Sequence, residues 1–453
     1  MNPVSTRRQL LKSASFAGIG LCVSPTYRAH GSPNERLAIA CLGVGGKGRS
    51  DSEHASHHGD VYAICDIDEK RLDAAAAKFP SALRYRDYRK LLSDLELQLD
   101  AVTVSAPDHH HAPASALAMR MGKHVYCQKP LTHSVGEARL LRDLAQRAGV
   151  CTQMGNQGTA HPGLRTGVEL IRAGVIGVVR EVHVWTNRPF KYWKQAPDIV
   201  ARPTETPPCP DTVHWELFIG PAAMRPYHPV YHPHDWRGWW DFGTGSLGDM
   251  ACHTTNLPFM ALRLGLPTRV SAVHAEVNAE TYPAWATITY EFPARNGLPP
   301  VKLTWYEGAK NGARNLPPAE LFAGQTPTES GSLLIGDNGI MYSPGDNGAQ
   351  QLLLPEIRFA GLAVPSTLPR IEGGDGIDDN HKREWIEAIK AGKPALALSN
   401  FDYAANLTET MLLGNVAVRA GHALEYDARS GKVRKCRDAE PFLNPPMRDG
   451  WRV

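Results

Sequence analysis

Three polar side chains, far apart in the chain, are of types that can move a proton and steady an oxyanion. Lys129 closes the apolar run "KHVYCQK" and is followed at once by Pro130. A proline disfavours helical geometry in the residue before it, so Lys129 is held extended at a strand end. There its ammonium group either snorkels into solvent or reaches into a cleft and stabilises an alkoxide. The local residues leave both readings open. Asp249 and His253 lie in "GTGSLGDMACHTTN", at i and i+4, on one face of a helix expected over about 248–260 with Ser246 as its cap. A histidine titrating near neutral pH can take a hydroxyl proton. A carboxylate one turn earlier can orient the ring or bind a neighbouring hydroxyl. A lone histidine on a helix is more often structural; its Asp partner and the flanking Gly243 and Gly245 weigh toward chemistry.

The elements that must position Lys129 alternate between strand and helix from residue 36. "RLAIACLGVG", "DVYAICDID", "DAVTVSAP", "KHVYCQK" and "VCTQMGN" are apolar runs suited to parallel strands buried on both faces. "DEKRLDAAAAKF", "HAPASALAMRMG" and "SVGEARLLRDLAQRAG" read as the helices between them. Such a repeat calls for a doubly wound parallel sheet, a Rossmann fold in an α/β chain. Gly43, Gly45 and Gly48 then form G-x-G-x-x-G directly after the first strand. The first permits a tight turn, the second a close approach to a pyrophosphate and the third close helix packing. Asp66 ends the second strand, where a carboxylate binds both ribose hydroxyls and repels a 2′-phosphate. NAD is therefore the expected cofactor over NADP, with Arg71 near enough in sequence to keep NADP as the alternative. Asn156 and Gln157, in "MGNQG", either reach the nicotinamide or substrate or cap a loop.

Together the glycine motif, Asp66, "APDHHHAPASALAMRMGKHVYCQKP" and the closing segments "NHKREWIEAIKAGKP" and "LTETMLLGNVAVRAGHALEYD" resemble the glucose–fructose oxidoreductase / inositol dehydrogenase (Gfo/Idh/MocA) family. The resemblance covers about residues 36 to 427. It implies a second, C-terminal α/β domain with an open, mainly antiparallel sheet, and sugar, polyol or glycoside substrates oxidised by hydride transfer. It also implies Lys129, Asp249 and His253 as the catalytic group. A retained cofactor also suits an NAD-dependent glycosidase, which oxidises, eliminates and re-reduces with no net redox change. Pro107 falls in a segment the family places near the cofactor. The family's Glu-Lys-Pro is here Gln128-Lys129-Pro130; the amide keeps the shape and drops a charge beside the lysine, which reads as tuning. The expected divisions are a Rossmann domain at 34–155, a substrate domain at 156–430 with an insertion near 189–245, and a tail at 431–453. Trp185, Arg188, Tyr192, Trp193, Trp236, Arg237, Trp239 and Trp240 fall on the expected cleft side. Aromatic faces pack on sugar rings and Arg binds hydroxyl or acidic groups. For any single tryptophan, a place in the core is the stronger expectation.

Composition narrows the remaining classes. With 42% apolar and 21% charged residues, the 453-residue chain has the make-up of a soluble globular protein of about two domains. Arg7, Arg8, Lys12 and Arg28 supply the basic excess, and without them 45 basic residues face 46 acidic ones, which gives no reason to expect nucleic acid. "STRRQLLKSASFAGIGLCVSP" resembles a twin-arginine export signal ending near residue 31, too short to span a membrane; it directs the protein to the periplasm. Of eight cysteines no two form C-x-x-C. His109, His110 and His111, and the set His228, His232 and His234 near prolines, lack a helical face or a cysteine partner, so no metal is expected. One face of the second sheet should meet helices and the other a second copy of the chain.

Overall fold

The computed structural model describes residues 36–452 except 364, 365, 372 and 435, so the twin-arginine segment lies outside the described residues. Six strands form the first sheet: β1 (Leu37–Leu42), β2 (Gly59–Cys65), β3 (Leu83–Tyr85), β4 (Ala101–Val104), β5 (His124–Cys127) and β6 (Thr152–Met154). Their order is β3-β2-β1-β4-β5-β6, and every pair is parallel. β4 and β5 are buried along their whole length, as continuous apolar runs require. The order reverses between β1 and β4, so a crevice opens beyond their C-terminal ends. Around the sheet lie α1 (Lys47–His58), α2 (Glu69–Lys78), α3 (Tyr88–Asp94), α4 (His111–Arg120) and α5 (Val135–Ala148). Ser134 caps α5 in a reciprocal capping box with Glu137, and Gly149 closes it in the left-handed region.

A ten-stranded sheet follows. It comprises β7 (Val179–Trp185), β8 (Arg269–His274), β9 (Trp285–Phe292), β10 (Val301–Lys310), β11 (Ala313–Arg314), β12 (Gly331–Gly336), β13 (Gly339–Pro344), β14 (Leu352–Leu354), β15 (Leu424–Asp427) and β16 (Lys432–Arg434). The path runs β14-β13-β12-β7-β10-β9-β8-β15-β16, with β11 paired to β10. It is antiparallel where strands are joined in hairpins, and β7 with β10 is a parallel pair. The residues from 431 onward are not a tail. Lys432–Arg434 completes the sheet edge, and Trp451 packs edge-on against Tyr88 and His110 of the first domain.

Helices α6 (Pro162–Arg172), α7 (Trp215–Ile219), α8 (Gly245–Thr254) and α9 (Asn256–Leu262) precede most of that sheet. The helix expected over 248–260 is in fact two. Ser246 lies inside α8 and its hydroxyl caps nothing; Thr244 holds the cap position. Pro258 explains the break, since it has no N–H to bond back to Thr254 and fits only in the first turn of a new helix.

Two long helices, α10 (Ile377–Ala391) and α11 (Phe401–Ala420), bring the chain back to the first domain. A single cut at 155 therefore does not separate the domains. Trp385 is buried and donates to the Cys151 carbonyl at 3.2 Å, while the Gln153 amide donates to the His381 carbonyl at 2.8 Å. α11 also covers the second sheet: Tyr290 on β9 donates to the Met411 carbonyl, and a Cβ on Gly414 would stand 2.2 Å from the Tyr290 oxygen. Glycine is what lets that helix approach.

Candidate active site

β5 and α8 converge on one cleft from the two domains. Lys129 Nζ donates to Asp249 Oδ1 at 2.6 Å and to the Asp249 carbonyl at 2.9 Å. Arg237 Nε stands 3.7 Å from the same carboxylate. Burial works against ionisation of Asp249, but Lys129 and then Arg237 outweigh it and hold the carboxyl well below the usual range. His253, one turn on, is pushed down to about 3 by burial and by the Lys129 charge. Its imidazole is thus neutral, and neither ring nitrogen bonds another group among the described residues; Nδ1 is buried without a partner. A neutral imidazole beside a fixed ammonium can accept one proton while the ammonium steadies the oxygen that loses it. Pro107, Gln157, Arg188, Trp236 and Arg237 line the same cleft, as do Asp346 and Asn347 from the loop between β13 and β14.

The glycine turn fits a dinucleotide. Gly43 takes φ +77°, and a Cβ there would meet the Ser105 carbonyl oxygen at 2.7 Å; a Cβ on Gly48 would overlap the Gly43 carbonyl. A side chain on Gly45 would strike Arg71, which lies across the turn. The Asp66 carboxylate sits at the end of β2, nearly buried, and accepts from the Val44 and Asp68 amides at 2.9 and 3.0 Å. Burial raises its pKa, a strain relieved when ribose hydroxyls donate to it. Leu42, Ile67, Tyr88 and Phe218 line an adjoining, mainly apolar slot.

Gln128 is expected to contact the cofactor and to tune Lys129, and the structure adds a partner on α1. It touches the cleft, but its amide is engaged by Asp51, a fully buried residue on α1: Gln128 Nε2 donates to Asp51 Oδ2 at 2.8 Å. Ser105 Oγ donates to the same oxygen at 2.8 Å, and Lys382 Nζ to Oδ1 at 2.7 Å, with Lys47 Nζ 3.2 Å away. Although burial opposes it, Lys382 and Lys47 keep Asp51 ionised, well below the usual range. Gln128 Oε1 accepts from the Lys129 amide at 3.3 Å. The side chain is a donor to Asp51, and a carboxylate in its place would face another.

Other expected contacts are also redirected. Asn156 is fully buried, donates to the Cys252 carbonyl at 3.2 Å and accepts from Ser399 Oγ at 2.5 Å. It ties β6 to α8 and to the entry of α11, and is not among the residues lining the cleft. Trp185 is core: it packs with Phe322 and Tyr342, and its indole donates to the Thr328 carbonyl. Trp239 is likewise buried, and Trp240 stacks on Tyr282 at 3.7 Å. Trp193 donates to Gln195, whereas Tyr192 lies under the Arg188 guanidinium at 3.7 Å. His109, His110 and His111 face backbone carbonyls, His111 those of Pro130 and Ala106 at 2.7 and 2.9 Å. His422, Cys436 and Asp438 lie within 4.8 Å of one another, satisfy each other by hydrogen bonds and do not line the cleft.

Sequence reasoning missed Lys47, Asp51, Lys382, Asp346 and Asn347. Only "PGDNG" around the last two carries a local signal, that of a turn.

A glycine-turn Rossmann sheet with an α/β domain closing its switch-point crevice defines a two-domain, dinucleotide-binding class. The chain belongs to the Gfo/Idh/MocA oxidoreductase family: residues 37–156 match its NAD-binding Rossmann-fold domain and residues 165–295 its C-terminal α/β domain. Over 161 residues it is 34% identical to D-xylose 1-dehydrogenase (NADP(+)) 2 of Haloferax volcanii, 36% of this chain and 48% of the relative. It is 28% identical over 172 residues to inositol 2-dehydrogenase of Salmonella typhimurium, 38% of this chain and 44% of that protein. The matched region thus spans less than half the length of these curated relatives. Among solved structures, aldose-aldose oxidoreductase from Caulobacter crescentus superposes with a TM-score of 0.59 at 16% identity, over 86% of this chain and all of that one. An inositol dehydrogenase homologue from Azotobacter vinelandii, solved with NADH and myo-inositol, gives 0.57 at 16% identity over 87% and 98%. At those identities the likeness is one of fold.

Proposed function

We propose that the protein is an exported, NAD-dependent oxidoreductase that moves hydride between a carbinol of a sugar or polyol and the nicotinamide ring. The observation that carries this reading is the neutral His253 beside the Lys129–Asp249 ion pair, in one cleft with the glycine turn and Asp66. The names of the xylose and inositol dehydrogenases among its relatives agree with the sugar or polyol substrate, while the xylose dehydrogenase is named for NADP(+). Bound NAD supplies the hydride acceptor. Gly43, Gly45 and the start of α1 hold its pyrophosphate, and Asp66 its ribose, which favours NAD over NADP. His253 takes the proton of the substrate hydroxyl. Lys129 donates a hydrogen bond to the same oxygen and stabilises the alkoxide; Asp249 fixes the position of the ammonium group. Twin-arginine export to the periplasm suits an enzyme that carries its cofactor already folded around it, and the second sheet's open face suits a homo-oligomer. Neither a nucleic-acid partner nor stable membrane insertion enters this reading.

The test is incubation of the purified protein and NAD with a panel of sugars, polyols and aryl glycosides. Accumulating NADH with a matching keto product supports oxidation. Aglycone released without net NADH would replace it with a glycosidase that oxidises transiently. Failure to bind any nicotinamide nucleotide would sink both.

A further inference from the structure

The cleft holds two arginines that, among the described residues, have no carboxylate within hydrogen-bond distance. Arg188 lies on the Tyr192 ring and its Nη1 donates to Asn187 Oδ1 at 2.6 Å. Among the described residues Asp346 supplies its one carboxylate within 4 Å, at 3.9 Å, and Arg188 Nε is buried with no partner. Arg237 lies on the Trp236 ring at 4.3 Å and donates to the His234 carbonyl. Its near carboxylate is that of Asp249, 3.7 Å away and already held by Lys129 at 2.6 Å. Arg188 and Arg237 are half-buried; the fully buried arginines are paired, Arg165 with Glu384 at 2.8 Å and Arg225 with Asp241 and Glu280.

Stacking on a ring fixes the plane of a guanidinium and leaves its N–H edge free for a bidentate anion. The dinucleotide does not account for this surplus. Lys47 and Arg71 stand at the glycine turn, where a bound pyrophosphate would meet them, whereas Arg188 and Arg237 line the cleft beside Asp346 and Asp249. We infer that the site selects an acidic sugar, whose carboxylate is received by Arg188 and Arg237 while a ring hydroxyl meets His253 and Lys129. The inference rests on the proposed hydride transfer for its orientation but not for its binding step.

The experiment compares glucuronate, galacturonate and mannuronate, each against its neutral hexose, with glucose 6-phosphate as a second anion. Binding to the NAD-loaded protein is followed by calorimetry and turnover by NADH formation. The best uronate should bind on the order of 100-fold more tightly than its hexose. Arg188→Gln and Arg237→Gln should each raise the KM for the acid on the order of 10- to 100-fold more than the KM for the neutral hexose, with circular dichroism of both variants reporting correct folding. Equal or tighter binding of the neutral hexoses, no binding of any uronate, or variants that weaken acid and hexose alike would each overturn the inference. A preference for glucose 6-phosphate would overturn the carboxylate assignment. Preferential uronate binding without any NADH would uphold it and count against hydride transfer; NADH from neutral sugars alone would do the reverse.

Discussion

Gln128 carries a choice that its neighbours make necessary. Asp51 already receives Ser105, Lys382 and Lys47, and Gln128 fills its remaining place as a neutral donor. Gln128→Glu should therefore destabilise the fold by ~3 kcal/mol, the order expected when a buried charge loses its compensation. The Asp51→Asn/Gln128→Glu double variant should recover part of that loss, because the new amide can donate to the new carboxylate. Denaturant unfolding of the single and double variants measures both; additive losses would show that the two side chains do not interact. At this scale residue type and spacing put Asp249 and His253 on one helix face, while only the family resemblance joined Lys129 to them, and the structure brings Lys129 within 2.6 Å of Asp249. The sequence was silent on Asp51, which is one polar residue in a polar helix until the fold brings Lys382, 331 positions later, against it.

The return of α10 to α1 is the element on which that arrangement depends. Lys382 is fully buried, contacts Asp51 and lies 3.5 Å from the centre of the Tyr126 ring; Lys47 meets Asp378 at 2.5 Å, and Asp379 meets His57 and His58. Lys382→Ala strands the Asp51 charge, so a loss of about 3–5 kcal/mol is expected. Because α1 begins the pyrophosphate site, NAD should bind more weakly too, which calorimetry would register; unchanged NAD affinity would place α10 outside the cofactor site. The parallel strands were legible because they are continuous apolar runs. β3 was not, having three residues and none buried, nor were β12 to β14, whose glycines and short lengths leave little pattern. The paired helices α8 and α9 read as one because the apolar pattern runs through Pro258 while the hydrogen bonds do not.

Across the whole molecule, buried histidines set a dependence on pH. Burial pushes His110 and His232 down to about 4 and His253 to about 3. The unfolded chain protonates these groups near 6.5, so it gains protons the folded protein refuses, and stability falls as pH drops from about 6.5 towards 4. His111 acts in the opposite sense. Against burial, Cys127, Asp108 and the Pro130 carbonyl push it up to about 9, so its contribution is complete below about 6.5 and lost as pH rises through 9. Denaturant midpoints at pH 4.5, 6.5 and 9 should peak at the middle value, and His253→Gln should flatten the acid side; a midpoint that does not fall on acidification would contradict neutral buried imidazoles. The proposed export is tested at this scale as well. Arg7→Lys with Arg8→Lys should leave the precursor in the cytoplasm, as fractionation of cells would detect.

The most direct measurement is NADH absorbance in a single turnover, on mixing NAD-loaded protein with the best substrate of the panel, for the parent, Lys129→Ala and His253→Ala. The expected result is a rapid rise in the parent and rates lower by roughly 10²–10⁴ in both variants, with NAD still bound. Equal rates in all three proteins would contradict the assignment of this cleft as the place where hydride and proton leave the sugar.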